Sequence, residues 1–413
     1  MTLLVVSYAY PPLRYPRAIQ VARLVAHLPP DEVVVVCAEE PGSGDQTLLD
    51  AYPDRDRKVV RVPWSAASRG IRRLRSATLA DRLLVPDIYR PWQRDAARAI
   101  RQGRLLQPGD VLATFGQPMS DHLLGLRLAT RVYAPWIAHF SDPWLDSPFR
   151  TGGRLTELLN SRLERRVVAT ADAVVVTSTD TAELFRERYG AVIEHKLHVV
   201  PHAFDATLYR AADKPREGTV VRYIGNFYGH RRPEPLFDAL RVLLERDPAV
   251  LDGVRLELVG STEHPVNPEA LAGLPEGLVL LRGPVDYLES LALAESSDLL
   301  LVLDAPARHS VFLPSKLIDY LGSGTPILAL TPPGAATDLV RRVGGWHSDP
   351  HDPSAAADVL ASSLAAVRAD TSRDPRSFAA ADEYASPAVA ARFRDVIGAA
   401  RTTADRRRTT RCL

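Results

Sequence analysis

Short runs of uninterrupted apolar residues recur along most of the chain, each followed by a turn and then by a longer stretch with helical periodicity. In the first half the runs are residues 3–7, 33–38, 59–62, 111–114, 137–140, 173–177 and 197–200; in the second they are 220–224, 255–259, 278–281, 298–303 and 327–330. A strand covered by helices on both faces is apolar at successive rather than alternate positions. Amphipathic stretches between the runs, such as 18–28 and 161–169, supply the covering helices. The pattern predicts an α/β chain of two Rossmann-like, doubly wound parallel domains facing each other across a cleft, with ligands at the carboxyl ends of the strands.

The succession breaks once, at the polar stretch 205–218, which carries Pro215 and Gly218 and has no apolar periodicity. This predicts a linker between an N-terminal domain, 1–204, and a C-terminal domain, 219–384. After Ala355 helical patterns replace strands: 385–400 reads as a helix packing back on the first domain, and the arginine-rich 401–413 as a disordered tail. A length of 413 residues suits two cores.

Charge and cysteine content narrow the function. Lys plus Arg number 51 against 50 Asp plus Glu, which removes the broad basic footprint of a nucleic-acid-binding protein. Cys37 and Cys412 have neither metal nor disulfide spacing and fit a reducing, cytoplasmic compartment. The opening residues read as a first strand rather than a signal peptide. No apolar run approaches the roughly 18 residues of a membrane span. No group of His, Asp or Glu has metal-ligand spacing, so neither metal nor cofactor is expected.

The most informative segment is 299–330. It reads as a buried strand, a loop from Asp304 to Leu313, a short helix opening at Pro314 and a stop at Gly322-Ser323-Gly324. A helix N-terminus emerging from a strand end offers free N–H groups and the positive end of a dipole, an anion site. Lys316 and Asp319 are three residues apart and share one helical face. The lysine can neutralise a diphosphate and the carboxylate can accept ribose hydroxyls; the same spacing also suits a surface ion pair.

The block from Leu313 to Ile327, containing Pro314-Ser315-Lys316-Leu317-Ile318-Asp319-Tyr320 and Gly324-Thr325-Pro326, resembles the donor-site signature of retaining GT-B glycosyltransferases of family 4. Tyr10-Pro11-Pro12, Phe140-Ser141-Asp142-Pro143-Trp144, Val199-Val200-Pro201-His202-Ala203-Phe204-Asp205 and Tyr223-Ile224-Gly225-Asn226 resemble further elements of that family along nearly the whole chain. The resemblance implies transfer of a hexosyl group, without a metal, from a UDP-, GDP- or TDP-linked sugar to a hydroxyl or amine of a natural product, glycan or lipid-linked acceptor, with retention of configuration. It places Asp319 at the ribose, Lys316 and one of Arg231 or Arg232 at the pyrophosphate, and Gly225 where the backbone approaches it. Asn226, Ser310, Val311, Phe312, Leu313 and Pro314 complete the expected donor site.

Departures from the signature are specific. Val311 stands where the family carries its first glutamate, eight residues before Asp319, and Asn226 replaces the usual arginine after Gly225. The first loop lacks the paired glycines that pass the phosphates; Arg14 and Arg17 stand there instead. Asp142 follows a strand directly and can accept a hydrogen bond from the acceptor, although an Asp-Pro turn starter reads the same way. Gln117 ends another strand in a region where many relatives carry a histidine, and with Arg14, Arg17 and Asp142 it makes up the expected acceptor site, whereas His122 and His139 suit packing better than chemistry. Between Arg61 and Arg104 lie eleven arginines and three acids, a set suited equally to an anionic membrane surface and to ordinary solvated helices. A sugar-nucleotide epimerase shares the architecture, and the missing acid at Val311 keeps a non-catalytic partner of a transferase in view.

Overall fold

Valine, leucine, isoleucine and alanine dominate the buried strands, and every strand pairs in parallel with its neighbours. The computed structural model describes residues 1–40, 42, 44–76, 85–146, 153–210, 218–261, 268–305, 307–370 and 378–412. The chain divides into two units, Met1–His202 with Ser386–Leu413, and Ala203–Ala385.

In the first unit β1 (Leu3–Val6), β2 (Val33–Glu39), β3 (Lys58–Pro63), β4 (Val111–Phe115), β5 (Trp136–His139), β6 (Ala173–Val176) and β7 (Leu197–Val199) form one sheet in the order β3-β2-β1-β4-β5-β6-β7. Its helices are α1 (Pro16–Ala26), α2 (Gln46–Ala51), α3 (Ala66–Ser76), α4 (Trp92–Gln102), α5 (Ser120–Val132), α6 (Arg154–Thr170) and α7 (Thr179–Tyr189). All four residues of β1, β5 and β6 are buried, as a sheet sandwiched between helices requires.

The second unit repeats the plan. Strands β8 (Thr219–Ile224), β9 (Val254–Val259), β10 (Val279–Arg282), β11 (Leu299–Leu303), β12 (Ile327–Leu330) and β13 (Trp346–Ser348) are ordered β10-β9-β8-β11-β12-β13. They carry α8 (Glu234–Arg246), α9 (Tyr287–Glu295), α10 (Ser315–Ser323), α11 (Ala335–Arg342) and α12 (Pro353–Ala369). Strand order reverses between β1 and β4 in the first sheet and between β8 and β11 in the second. At such a reversal the loops leave in opposite directions and open a crevice at the strands' carboxyl ends.

Three elements differ from expectation. The last helix, α13 (Ser386–Cys412), continues through the stretch expected to be a disordered tail. Ala400 and Ala404 are fully buried, and Arg407 donates to the Thr170 carbonyl at 3.0 Å and to buried Asp172 at 3.2 Å, so this arginine-rich end has partners in the first unit. Strand β13 was invisible as an apolar run because its three residues are Trp, His and Ser. Of the expected linker 205–218, residues 211–217 lie outside the described residues. Asp205 caps the turn Ala206–Leu208, and the Tyr209 hydroxyl donates to the Asp319 carbonyl at 2.8 Å, which ties this end to the second unit. No described helix is long and apolar enough to cross a membrane.

Candidate functional site

The reversal point of the second sheet gathers most of the residues singled out for donor binding. β8 ends at Ile224 and leads into Gly225 and Asn226; β11 ends at Leu303 and leads into Asp304 and the loop to α10. Helix α10 opens at Ser315 with Pro314 as its N-cap and no side-chain cap; the Leu317 N–H donates to the Pro314 carbonyl at 3.0 Å, and the N–H groups of Ser315 and Lys316 stay available to an anion. Gly324, at φ +66°, ends it in the left-handed conformation that glycine adopts without strain.

Lys316 runs from the first turn of α10 back to β8. Its Nζ lies 3.8 Å from the centroid of the Tyr223 ring and donates to the Tyr223 hydroxyl. Gly225, at φ +151°, makes this course available: a Cβ there would sit 2.6 Å from Lys316 Nζ. Burial, with the positive charge of Arg231 nearby and only partly offset by Asp304, holds the Lys316 ammonium well below the usual lysine range. A desolvated cation beside a helix N-terminus is a strong receiver for a diphosphate, whose charge restores what burial removed.

Arg231 and Arg232 differ in burial: Arg232 is exposed, whereas Arg231 is 7% exposed and points inward. Arg231 donates through Nε and one terminal nitrogen to Asp304 Oδ1, at 3.2 and 2.7 Å, and through the other to the Tyr228 hydroxyl at 2.9 Å. Burial opposes its charge, but Asp304 and Tyr228 more than compensate and raise its pKa above the usual arginine value. Asp304 also accepts from the Ala305 N–H at 2.9 Å and the Ser310 hydroxyl at 3.3 Å. Asp304 and Tyr228 were given no role from the sequence, and Tyr223 stood only as the first residue of the element that leads to Gly225. The signal for Asp304 was its place directly after a buried strand, the same signal that drew attention to Asp142.

The other expected donor residues take varied positions. Ser310 is fixed against α11: its carbonyl accepts from the Ala335 N–H at 3.1 Å, and any Cβ on Gly334 would collide with it. Leu313 is a core residue, while Val311, Phe312 and Pro314 are half-buried. Asn226 Oδ1 accepts from the Ser261 N–H at 3.0 Å, so this side chain pins the loop after β9. Asp319 is half-buried on the Lys316 side of α10, and its helix is tied to β8 by the Tyr320 hydroxyl, which accepts from the Ile224 N–H at 2.9 Å.

At the reversal point of the first sheet stand the expected acceptor residues. Gln117, after β4, has φ +69°, a strained conformation for a residue with a side chain. It donates to Asp142 after β5 and accepts from the Ser141 hydroxyl at 3.3 Å. Arg17, in the first turn of α1, is buried within electrostatic reach of Asp142, Tyr15 and Asp121; Arg14 is exposed. His122 lies against Phe140 at 4.3 Å and His139 against Phe115 at 4.8 Å, and burial holds both neutral. Of the arginine-rich stretch, residues 77–84 lie outside the described residues. Among the described residues no group of three or more His, Cys, Asp or Glu could hold a metal ion.

Residues 18–203 match the family model described as glycosyl transferase 4-like domain. A D-inositol 3-phosphate glycosyltransferase of Rhodococcus opacus is 28% identical over 52% of this chain and 52% of its own length. One from Xylanimonas cellulosilytica is 29% identical over 49% of this chain and 51% of its own. The matched stretch thus spans about half the length of these curated relatives. Among solved structures, Anabaena HepE in complex with UDP and glucose covers 99% of this chain and 100% of its own at 16% identity and TM-score 0.62. An E. coli trehalose-6-phosphate structure bound with UDP-2-fluoro glucose covers 96% and 99% at 12% identity and TM-score 0.65. The first unit is therefore similar to glycosyl transferase 4-like domains, and the two parallel α/β domains have the GT-B fold.

Proposed function

We propose that this chain is a glycosyltransferase that moves a sugar from a nucleoside diphosphate sugar to an acceptor hydroxyl or amine, with retention of configuration. The observation that carries this reading is the convergence of Lys316, Arg231 and the open N-terminus of α10 on the reversal point of the second sheet. The names of the relatives and the UDP-sugar complexes among the structural neighbours support the same reaction class and weigh against an epimerase.

In this mechanism the diphosphate is held by Lys316, by the N–H groups at the start of α10 and by the terminal guanidinium nitrogen that Tyr228 now occupies. Asp319 accepts the ribose hydroxyls. As the bond from the anomeric carbon to the diphosphate breaks, negative charge grows on the leaving group, and cations already in place stabilise it without reorganisation. The acceptor is taken by Arg14, Arg17, Gln117 and Asp142 of the first unit, with Asp142 receiving the hydrogen bond of the attacking hydroxyl. No metal is required in this scheme, because fixed cations do the neutralising.

A thermal-shift panel of UDP-, GDP-, TDP- and ADP-sugars tests the reading, since a ligand that binds only the folded state raises the melting temperature. One nucleotide class should stabilise the wild type, and Asp319→Asn should reduce that shift. A panel in which no nucleotide sugar stabilises the chain removes the proposal.

A second contact is supported by a hollow of about 600 Å³ in the first unit, where α4, the turn after it and α5 present Arg94, Arg98, Arg101, Arg104, Arg127 and Arg131 around Leu106 and Leu128. None of the six arginines makes an ion pair with a described residue, and an apolar floor under a cationic rim fits an anionic lipid surface. The chain should co-sediment with phosphatidylglycerol vesicles at low salt but not with phosphatidylcholine vesicles; equal binding to both removes this contact.

A further inference from the structure

Arg17 is the least satisfied charged group among the described residues. It is 1% exposed, and neither Nε nor either terminal nitrogen has a hydrogen-bond partner. Burial presses its pKa down to about 10, with Asp142, Tyr15 and Asp121 acting in the opposite direction. The surrounding polar atoms share the condition: His122 Nε2, His139 Nδ1 and Asp121 Oδ1 are buried without partners. His122, His139 and His202 are held neutral by burial reinforced by the Arg17 charge, so none of them competes with it as a cation.

This cluster has a defined place. Arg17 follows β1, His122 lies near the start of α5 after β4, and His139 ends β5, so all lie around the reversal point of the first sheet. A Cβ on Gly116 would sit 2.7 Å from His122 Nε2, so only glycine at the end of β4 leaves that nitrogen its present space. Tyr15, the N-cap of α1, offers no side-chain cap and is 44% exposed, and Asp142 is half-buried; these two form the solvent edge beside the guanidinium.

An interior guanidinium with no hydrogen bond is among the most unfavourable arrangements a folded chain can hold, and buried polar groups are otherwise nearly always paired. Neutral hydroxyls would satisfy its N–H groups but add no charge to the partial compensation from Asp142 and Asp121. A planar pair of oxygens does both, because the guanidinium fork matches the geometry of carboxylate and phosphate.

We propose that Arg17 anchors an oxyanion, a carboxylate or a phosphate ester, carried by the acceptor substrate, while Asp142 faces the acceptor's reactive hydroxyl. The proposal rests on the transferase reading above and narrows its acceptor to molecules bearing both a hydroxyl and an anionic group. Gln117 then acts as a positioning residue, holding Asp142 in place relative to Arg17.

Isothermal titration of the full chain with inorganic phosphate and with acetate, each at saturating UDP so that the second unit's cations are filled, tests this. The wild type should bind one of the two; phosphate alone assigns a phosphate ester, and acetate alone a carboxylate. Arg17→Gln should weaken that binding at least tenfold while UDP affinity stays within twofold. Arg17→Lys keeps the charge without the fork, guards against misfolding of the glutamine variant, and should give intermediate affinity. Binding of neither anion by the wild type, or anion binding unchanged in both variants, overturns the proposal. Should UDP itself fail to bind, the donor reading falls, and the same titrations without UDP still decide whether Arg17 holds an anion.

Discussion

Arg231 and Asp304 form an ion pair at 2.7 Å with both side chains less than a tenth exposed, at the carboxyl edge of the second sheet. A pair this deeply buried is weak as a source of stability, because desolvation offsets much of the attraction, yet breaking one side strands a charge. Asp304→Asn should therefore destabilise the chain by about 3–5 kcal/mol. Urea unfolding measures this, and a loss under about 1 kcal/mol would show that Arg231 finds another partner. The double variant Arg231→Met with Asp304→Leu should recover most of the stability but none of the donor affinity.

Lys316 gives a prediction of opposite sign for stability and binding. Its folded-state pKa lies well below that of the unfolded chain, so below the folded value the native state carries the full desolvation penalty of the ammonium. As pH rises from there toward the unfolded value of about 10.4, the native state binds fewer protons and the penalty disappears. Lys316→Met should raise the melting temperature, with the largest gain at low pH and none above the unfolded pKa. The same variant should weaken UDP binding at least tenfold. Wild-type affinity should fall with rising pH as the ammonium is lost, and this slope should flatten in the variant.

Gly225→Ala tests the course of that lysine without touching its charge. The new Cβ would stand 2.6 Å from Nζ at a backbone φ of +151°, and the far end of the lysine is the part able to move. Nucleotide affinity should drop nearly as far as in Lys316→Met. Titration with UDP decides it, and wild-type affinity would mean that the lysine's path across the glycine does not matter to binding.

Phe393 in α13 is fully buried, with its ring 6.1 Å from Phe115 and 6.5 Å from His139. Phe393→Ala should destabilise the first unit by about 3–5 kcal/mol, the range for removing a buried aromatic ring. Denaturation followed through the first unit's tryptophans checks it; a change near zero would mean that the helix is dispensable to that core.

The sheets were legible because parallel strands between two helical layers are apolar at most successive positions, as at Val5, Val35 and Ala113. β13 escaped because an edge strand of Trp346, His347 and Ser348 satisfies its backbone with few apolar side chains. Lys316 was legible from its place in a strand-loop-helix passage. Asp304 was not, since a carboxylate declares itself as a guanidinium's partner only when two loops separated by 73 residues meet. Sequence likewise offered Arg231 and Arg232 as equals, and burial on one side of a turn separated them. For Arg17 the pattern marked a basic residue in a phosphate-like loop, but its lack of partners is a property of packing.

The isolated bridge between Phe204 and Ala385, with the Phe204 N–H donating to the Tyr384 carbonyl at 2.9 Å, joins the two ends of the second unit. That unit is one continuous stretch of chain inserted into a first unit whose own covalent path is interrupted. Protein made by cutting after Ala385 would deprive the N-terminal sheet of the helix bearing Phe393, whereas excising 203–385 removes a segment whose termini are already stitched together. Ribosomal synthesis imposes the same asymmetry: the N-terminal core must wait for α13, which is translated after the whole of 203–385, while the second unit can complete itself first.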